Sequence, residues 1–307
     1  MTGIIIINPY KVPQQSVSQA ERLKEEFTKL GVFAEIVSDG YARVFVDEKG
    51  VRLDEKFSES DFFVDLDKDK YLSAALEEGG KRVFDSHKVI RLCDDKGDTY
   101  VRLAAGGFPV TKTVFAPLCY SENLKTPRGF IDLAEAELGY PVIIKESYGS
   151  MGKGVYKAET REELTAIQEK LKTVPHVLQR YEGARRGTDM RVIVVGGKAA
   201  AAMLRINETD FRSNIALGGK GVKVDIENCD EYSAFTDMAE RAAKYLEADY
   251  CGVDLLFSKD GSPIICEVNS NAFFCGIEKV TGVNVASLYA RHIVNTVKAE
   301  LCLSQER

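Results

Sequence analysis

The stretch CGVDLLFSKDGSPIICEVNSN, residues 251–271, carries an Asp, a Glu and an Asn inside what the pattern predicts is a β-hairpin. Asp260-Gly261 between two apolar runs is a strong short-range hairpin signal. A two-residue turn there sets Asp254 opposite Glu267 and Gly252 opposite Asn269, so that Asn269 shares a face with Glu267. Directly opposed carboxylates repel across a sheet. The neighbours Val253, Leu255, Ile265 and Val268 are those of a buried strand, not of a solvated one. A buried carboxylate pair must share a proton or meet a cation. Three hard oxygen donors on one face suit Mg²⁺, with waters and substrate phosphates completing the octahedron. Asp254, Glu267 and Asn269 are therefore candidate metal ligands, and neutralising either acid in the metal-free protein is expected to relieve the repulsion.

A second constellation is the glycine loop YGSMGKG, residues 148–154. Its glycines let backbone N–H groups approach an anion. It is not a Walker A loop, because Gly154 follows Lys153 where Ser or Thr is required. It leads into a strand, so no helix N-terminus stands behind it. Alone, such a loop is a plain turn. With Lys145 ending the preceding strand as a fixed positive charge, it becomes a candidate phosphate flap. The polar run DFRSN, residues 210–214, offers Arg212 and Asn214 to phosphate and metal, with Arg191 and Arg205 available to anionic groups along the same sheet. Gln179, Arg180, Tyr181 and Asp189 lie at strand ends, where adenine or ribose can be met. His87, His176 and His292 have no ligand spacing and are expected to be structural.

These residues need elements to position them. The first third alternates strand and helix: GIIIIN, a helix capped by Ser18 and Glu21 with the stripe Ala20, Leu23, Phe27 and Leu30, then VFAEIV, DFFVDLD and the helix KYLSAALEEGG. This is βαβ material for a small open α/β domain over residues 1–107. It lacks a Gly-x-Gly-x-x-Gly after its first strand, so it is no ordinary dinucleotide site. Helical segments from about 86 to 105 end at the boundary GGFPV. A small lobe with the glycine flap is expected over 108–178, including a helix capped by Thr160 and Glu163. A C-terminal lobe with the metal site is expected over 179–307. In it MRVIVV and KAAAAMLRI form a Gly196-Gly197 hairpin, EYSAFTDMAERAAKYL is helical, and a last helix runs from about 283 to 298.

Composition excludes several function classes. The chain has 307 residues, 45% apolar and 29% charged, with net charge −6. No basic stripe suggests nucleic acid. No segment approaches the ~20 apolar residues of a membrane span. The seven cysteines form no Cys-x-x-Cys and fit reduced thiols in a cytoplasmic protein. The N-terminal MTGIIIINPY, with a short apolar run and no basic start, is expected to be a first core strand rather than a signal peptide.

The order strand-Lys, glycine flap, Gln-x-Tyr, Asp, DFRSN, Asp…Glu-x-Asn resembles the ATP-grasp ligases, and within them the RimK-type α-L-glutamate ligases. DMRVIVVGGK, DFRSN, GVDLL, CEVNSN and GIEKVTGVNVA carry the resemblance, which covers about residues 86–298. It implies an α/β ATP-grasp fold preceded by a Rossmann-like α/β domain. It also implies that Lys96 and Lys145 hold ATP phosphates under a flap that includes Gly149, Ser150, Gly152 and Gly154. Gln179, Arg180 and Tyr181 would receive adenine, and Asp189 the ribose. Arg212, Ser213 and Asn214 would complete the nucleotide site, with Arg191 on anionic groups. Asp254, Glu267 and Asn269 would bind two Mg²⁺ or Mn²⁺ ions. Two departures stand out. Arg180 occupies a position that is usually Glu, and Ser270-Asn271-Ala272-Phe273-Phe274-Cys275 replaces a short Ser-Pro-Gly loop beside the expected acceptor site.

The implied reaction is carboxylate–amine ligation. The γ-phosphate passes to a substrate carboxylate, and an amine then displaces phosphate to give an amide. Lys145, with Arg205 or Arg212, would offset the developing charge. The amino acid is expected to be L-glutamate or an acidic relative, because Arg191, Arg205 and Arg212 exceed what ATP and two metals require. Its co-substrate is a peptide or a small molecule. The alternative is an ATP-binding regulatory protein of the same fold with little ligation. The sequence leaves self-association open.

Overall fold

A computed structural model of the chain describes residues 1–10, 14–149, 152–226 and 230–305. The N-terminal region runs β1 (Thr2–Ile6), α1 (Gln14–Lys29), β2 (Phe33–Val37), β3 (Val44–Asp47), β4 (Gly50–Leu53), α2 (Glu55–Ser58), β5 (Phe62–Asp65), α3 (Lys70–Glu78), β6 (Arg82–Phe84), α4 (His87–Asp94) and α5 (Lys96–Ala105). β2-β1-β5-β6 form a parallel sheet, as the βαβ pattern requires. The β3–β4 hairpin stands apart from it. α1 begins at Gln14, four residues before the expected cap, so Ser18 lies inside the helix. Its buried stripe of Ala20, Leu23 and Phe27 is the expected one, and each large side chain so buried contributes about 1.5–3 kcal/mol. Asp69, Ser86 and Asp95 cap α3, α4 and α5 by accepting from backbone N–H groups of the first turn.

The middle region comprises β7 (Thr113–Phe115), α6 (Arg128–Leu138), β8 (Val142–Glu146), β9 (Val155–Ala158), α7 (Arg161–Leu171) and β10 (His176–Arg180). Its antiparallel sheet has the order β7-β10-β8-β9. Thr160 caps α7 through the Glu163 N–H, while the Glu163 carboxylate accepts from the Glu159 N–H one residue earlier (2.7 Å).

The C-terminal region contains β11 (Thr188–Val195), β12 (Lys198–Ile206), β13 (Lys220–Val224), α8 (Ser233–Leu246), β14 (Tyr250–Phe257), β15 (Pro263–Ser270), α9 (Cys275–Thr281) and α10 (Val285–Gln305). Its sheet has the order β13-β12-β11-β14-β15. Gly196 and Gly197, both at positive φ, make the β11–β12 turn, where a side chain is strained. One sheet face packs Met190, Val192, Val253 and Val268 against Ala239, Ala242 and Ala243 of α8. The last helix extends seven residues beyond its expected end, and Asn284 accepts from the Ser287 N–H at its start (2.9 Å). α1 packs on α10, so the core of the first sheet runs on into Ile193, Ala201 and Met203 of the third.

The β14–β15 turn is not the two-residue turn that Asp260-Gly261 predicts. The Ser258 N–H donates to Ser262 O (2.9 Å), the Gly261 N–H donates to Ser258 O (3.1 Å), and Gly261 has φ 86°. This is a three-residue loop, a turn closed by a left-handed glycine. It shifts the outer register to Leu255↔Ile265. A bulge at Cys266 then takes up one residue and restores Asp254↔Glu267 and Gly252↔Asn269. The expected facing pair therefore forms by a different route.

Candidate active site

The face of the third sheet opposite α8 carries a charge ladder. Strand pairing sets Asp189 beside Arg205, Arg191 beside Asp254, and Asp254 beside Glu267. Arg191 grips Asp254 with two hydrogen bonds, Nε to Oδ1 and Nη2 to Oδ2, both 2.7 Å. Arg205 Nη2 lies 2.9 Å from Asp254 Oδ2, and Arg205 also holds both oxygens of Asp189. Arg205, Asp254 and Asp189 are all buried. Burial alone would raise the Asp254 carboxyl, but the two guanidiniums more than offset it and hold its pKa below the usual value. Glu267, a quarter exposed, pairs with Lys96 Nζ at 3.3 Å. The facing acids are thus compensated within the chain: two arginines answer Asp254 and one lysine answers Glu267.

That arrangement corrects two expectations. The three arginines are not in surplus, since Arg191 and Arg205 serve Asp254 and Asp189, and Arg212 binds Asp210 (2.7 Å). Asp189, expected at the ribose, has both oxygens engaged by Arg205, although it still lines the cleft.

Lys145 projects from β8 at the mouth of the flap. Its Nζ lies 3.4 Å from the Tyr100 hydroxyl and 3.5 Å from Cys266 Sγ. Burial pulls its pKa down, yet Cys266, Tyr100 and Glu267 outweigh that and keep it above the usual lysine value. Burial likewise pushes the Tyr100 phenol up to about 12. The flap strands pair Lys145 with Val155. Two expected phosphate ligands hold the flap by its carbonyls: Lys96 Nζ donates to Gly149 O (2.8 Å) and Arg212 Nη1 to Gly152 O (3.0 Å). Gly152 has φ 75°, and a Cβ there would meet Leu217 Cδ1 at 2.8 Å and Asn214 Oδ1 at 2.9 Å. Glycine is required at that contact. Gly154 packs equally closely on Glu146. Ser150 lies outside the described residues.

Beneath the flap is a cleft with an empty volume of about 900 Å³. It brings together Lys96, Lys145, Gly149, Gly152, Gln179, Arg180, Tyr181, Asp189, Arg205, Arg212, Ser213, Asn214, Asp254 and Glu267. Gln179 is buried and donates to Thr113 Oγ1 (2.9 Å). The Arg180 side chain turns to Glu182 (3.0 Å), and its N–H donates to Lys112 O (3.0 Å). Sequence reasoning missed Tyr100 and Cys266 around Lys145. Cys266 was accessible to it, directly before Glu267, whereas Tyr100 arrives on α5.

Arg191 and Asn269 fall instead in a second cleft, which shares Gly149, Asn214 and Glu267 with the first. Its empty volume is about 1600 Å³, and it lies between the N-terminal region and the third sheet. Phe273 lines it, while Phe274 is fully buried in the core. Asn271, at φ 42°, donates to Asp65 O (2.9 Å) and accepts from the Tyr289 hydroxyl (3.0 Å), tying this loop to the first sheet.

The donor set fits a hard divalent cation. Among the described residues no group of three or more His, Cys, Asp or Glu is placed to hold a metal; the set is two carboxylates and an amide. Asn269 can enter such a set only through its amide oxygen, since its Nδ2, buried without a partner, is a donor, and Glu267 has a single ion-pair partner. Asp254 retains lone pairs beyond its three charged contacts, since a carboxylate offers about four acceptor sites. The histidines are structural, with His87 on Glu77, His176 on Gln168 and His292 on Asp249. The described cysteines are free thiols, and Cys229 lies outside the described residues. No described helix is long and apolar enough to cross a membrane.

Comparison with known proteins agrees with this geometry. The model of the RimK-like ATP-grasp domain matches residues 95–293. Human N-acetylaspartylglutamate synthase A is 34% identical over 217 residues, 70% of this chain and 52% of that protein. A probable alpha-L-glutamate ligase from Maridesulfovibrio salexigens is 40% identical over 196 residues, 62% of this chain and 60% of that protein. The chain spans about half the length of the first of these relatives. Among solved structures, a RimK domain ATP-grasp protein from Sphaerobacter thermophilus superposes with TM-score 0.71 at 22% identity, covering 95% of this chain and 99% of that one. D-alanine–D-alanine ligase from Bacillus anthracis, complexed with ATP, gives 0.73 at 17% identity, covering 100% and 99%. The flap, its lysines and the Asp254–Glu267–Asn269 row lie within the matched segment, and the chain belongs to the RimK-like ATP-grasp family.

Proposed function

We propose that the protein is an ADP-forming carboxylate–amine ligase that joins L-glutamate, or a closely related amino acid, to a peptide or small-molecule co-substrate. The observation that carries this reading is the pair of adjoining clefts, which meet at Gly149, Asn214 and Glu267. A nucleotide site alone needs only the first. The second gives a carboxylate and an amine room beside the triphosphate end, which favours ligation over a purely regulatory ATP-binding role. The glutamate part rests on the similarity to a probable alpha-L-glutamate ligase and to N-acetylaspartylglutamate synthase A, since the arginines are engaged within the chain.

In this reading ATP lies under the flap. Gln179 and the backbone of Arg180 and Tyr181 face adenine, and Lys145, Lys96, Arg212, Ser213 and Asn214 face phosphates. Lys145 is a fixed charge positioned beside Tyr100 and Cys266, so it meets the phosphates without reorganisation. Lys96 and Arg212 each contact a flap carbonyl, so ligand and flap order together. A substrate carboxylate oxygen takes the γ-phosphoryl group and ADP departs. The amine nitrogen then bonds to the acyl carbon, the bond to phosphate breaks, and the nitrogen gives up a proton. Asp254, Glu267 and Asn269 would hold Mg²⁺ or Mn²⁺, two ions in the fullest form, which supplies charge neutralisation to the phosphates. The closed flap excludes water that would hydrolyse the acylphosphate. The free thiols fit a cytoplasmic setting.

The test is ADP release on incubation with ATP, Mg²⁺ and candidate acids, comparing L-glutamate with L-glutamine, L-alanine and L-phenylalanine, with new amides followed by mass spectrometry. ADP release that needs both an acid and an amine supports the ligase. Nucleotide binding without such release under any pair returns the protein to the regulatory reading. Stimulation by an apolar amino acid and none by glutamate removes glutamate alone.

A further inference from the structure

The second cleft contains two charged side chains that no described residue answers. Lys68 sits between β5 and α3 at φ 61°, an unusual conformation for a residue other than glycine, and it is held there by its N–H donating to the buried Asp65 (3.0 Å). Its ammonium has no ion-pair partner within 4.0 Å among the described residues. Asp94, at the end of α4, is half-buried, and its carboxylate has neither an ion pair nor a hydrogen-bond donor among them. Both line the cleft together with Glu267, Asn269 and Arg191. They are close enough to feel one another: burial raises the Asp94 carboxyl, and Lys68 is the strongest of the cations opposing this, ahead of Lys96 and Lys70, with Glu267 adding to the rise. They are too far apart to pair. Asp67, also in the cleft, already accepts from Asn8 Nδ2 (2.7 Å), and Arg191 is committed to Asp254.

A gap between an unpaired ammonium and an unpaired carboxylate is complementary to a zwitterion. The ammonium and carboxylate of an α-amino acid are separated by one carbon, so one such molecule presents both of the charges that the two groups lack. We infer that Lys68 and Asp94 form the amino-acid end of the second cleft and position that substrate, Asp94 taking its α-ammonium and Lys68 its α-carboxylate. This rests on the ligase reading for its place beside the γ-phosphate, but its recognition chemistry is independent of turnover. The pair acts by positioning: α4 packs on β15, which sets Asp94 toward the strand that carries Glu267 and Asn269.

The experiment is equilibrium binding to the full chain loaded with a non-hydrolysable ATP analogue and Mg²⁺. The probes are L-glutamate and 4-aminobutyrate, which is glutamate without its α-carboxylate. Each charge-assisted contact is worth about 10- to 100-fold. Wild type should bind L-glutamate at least about 10-fold more tightly. Lys68→Met should bring L-glutamate down to the affinity of 4-aminobutyrate and leave the latter unmoved, and Lys68→Arg should restore the preference. Asp94→Asn should weaken both probes together. Retained thermal stabilisation by the nucleotide analogue confirms that each variant is folded. A preference that survives Lys68→Met, or 4-aminobutyrate binding as tightly as L-glutamate in wild type, overturns the inference. ADP release with an acid and hydroxylamine is measured in parallel; if it never occurs, the ligase reading fails while the binding result still decides the zwitterion site.

Discussion

Replacing Asp254 by Asn separates two accounts of why opposed acids persist in a buried hairpin. If repulsion from Glu267 dominates, the metal-free protein gains stability. The structure gives the opposite sign. Asp254 is 2% exposed and receives charged contacts at 2.7, 2.7 and 2.9 Å from Arg191 and Arg205, while Asp189 is the only other carboxylate that the arginines hold in this ladder. Neutralising Asp254 leaves two guanidiniums facing one acid. Breaking a buried ion pair from one side costs about 3–5 kcal/mol; Asn keeps the volume and one acceptor, so about 3 kcal/mol is expected. At about 2–4 °C per kcal/mol this lowers the melting temperature by about 6–12 °C. Glu267→Gln is the internal comparison. Glu267 is partly exposed with one lysine contact at 3.3 Å, and its loss should cost under about 1 kcal/mol. Thermal unfolding in a chelator without nucleotide reads both. Asp254 is held below its ordinary value, so its contribution is complete above pH 3.8 and lost as pH falls further, and the gap between wild type and Asp254→Asn should close on acidification. An Asp254→Asn protein that melts at or above wild type would refute the compensation argument.

Gly152→Ala must place a Cβ within 3 Å of Leu217 and Asn214 at φ 75°, at a conformational cost of about 1–2 kcal/mol. ATP affinity by calorimetry should fall about 10-fold with little change in melting temperature, and unchanged affinity would count against a closed flap. Lys145→Ala removes a buried charge from the phosphate end, and hydrogen exchange should show weaker protection of the flap by Mg-ATP. Equal protection in wild type and variant would contradict that role. Asp85 accepts from the Asp249 and Tyr250 N–H groups (2.8 and 2.9 Å), and burial, with Asp249 adding, pushes it up to about 7. Its stabilisation is therefore full below pH 3.8 and lost as pH rises through about 7. Asp85→Asn should cost more at pH 5 than at pH 7.5 in urea titrations, and a cost that grows with pH would reverse the assignment.

The sequence by itself determined what depends on neighbours along the chain. Alternation along β14 and β15 put Asp254, Glu267 and Asn269 on one face, because side chains in a strand repeat every two residues. Ser86 and Thr160 announced their helices by satisfying free N–H groups. The order of flap, DFRSN and hairpin motifs identified the family. The facing pair was legible even though its turn was misjudged, since the bulge at Cys266 took up the extra residue of the longer loop. Only the tertiary structure decided what answers the charges. Arg191 lies 63 residues from Asp254 and reaches it because β11 lies between β12 and β14, an order no local pattern specifies. The same applies to Lys68 and Asp94. Each is an ordinary charged residue beside its own helix, and they share a cleft only because α3 packs on α4 and α4 on β15. Local hydrogen bonding and alternation are properties of short segments. The partner of a buried charge is set by strand order and helix docking, which depend on the whole core.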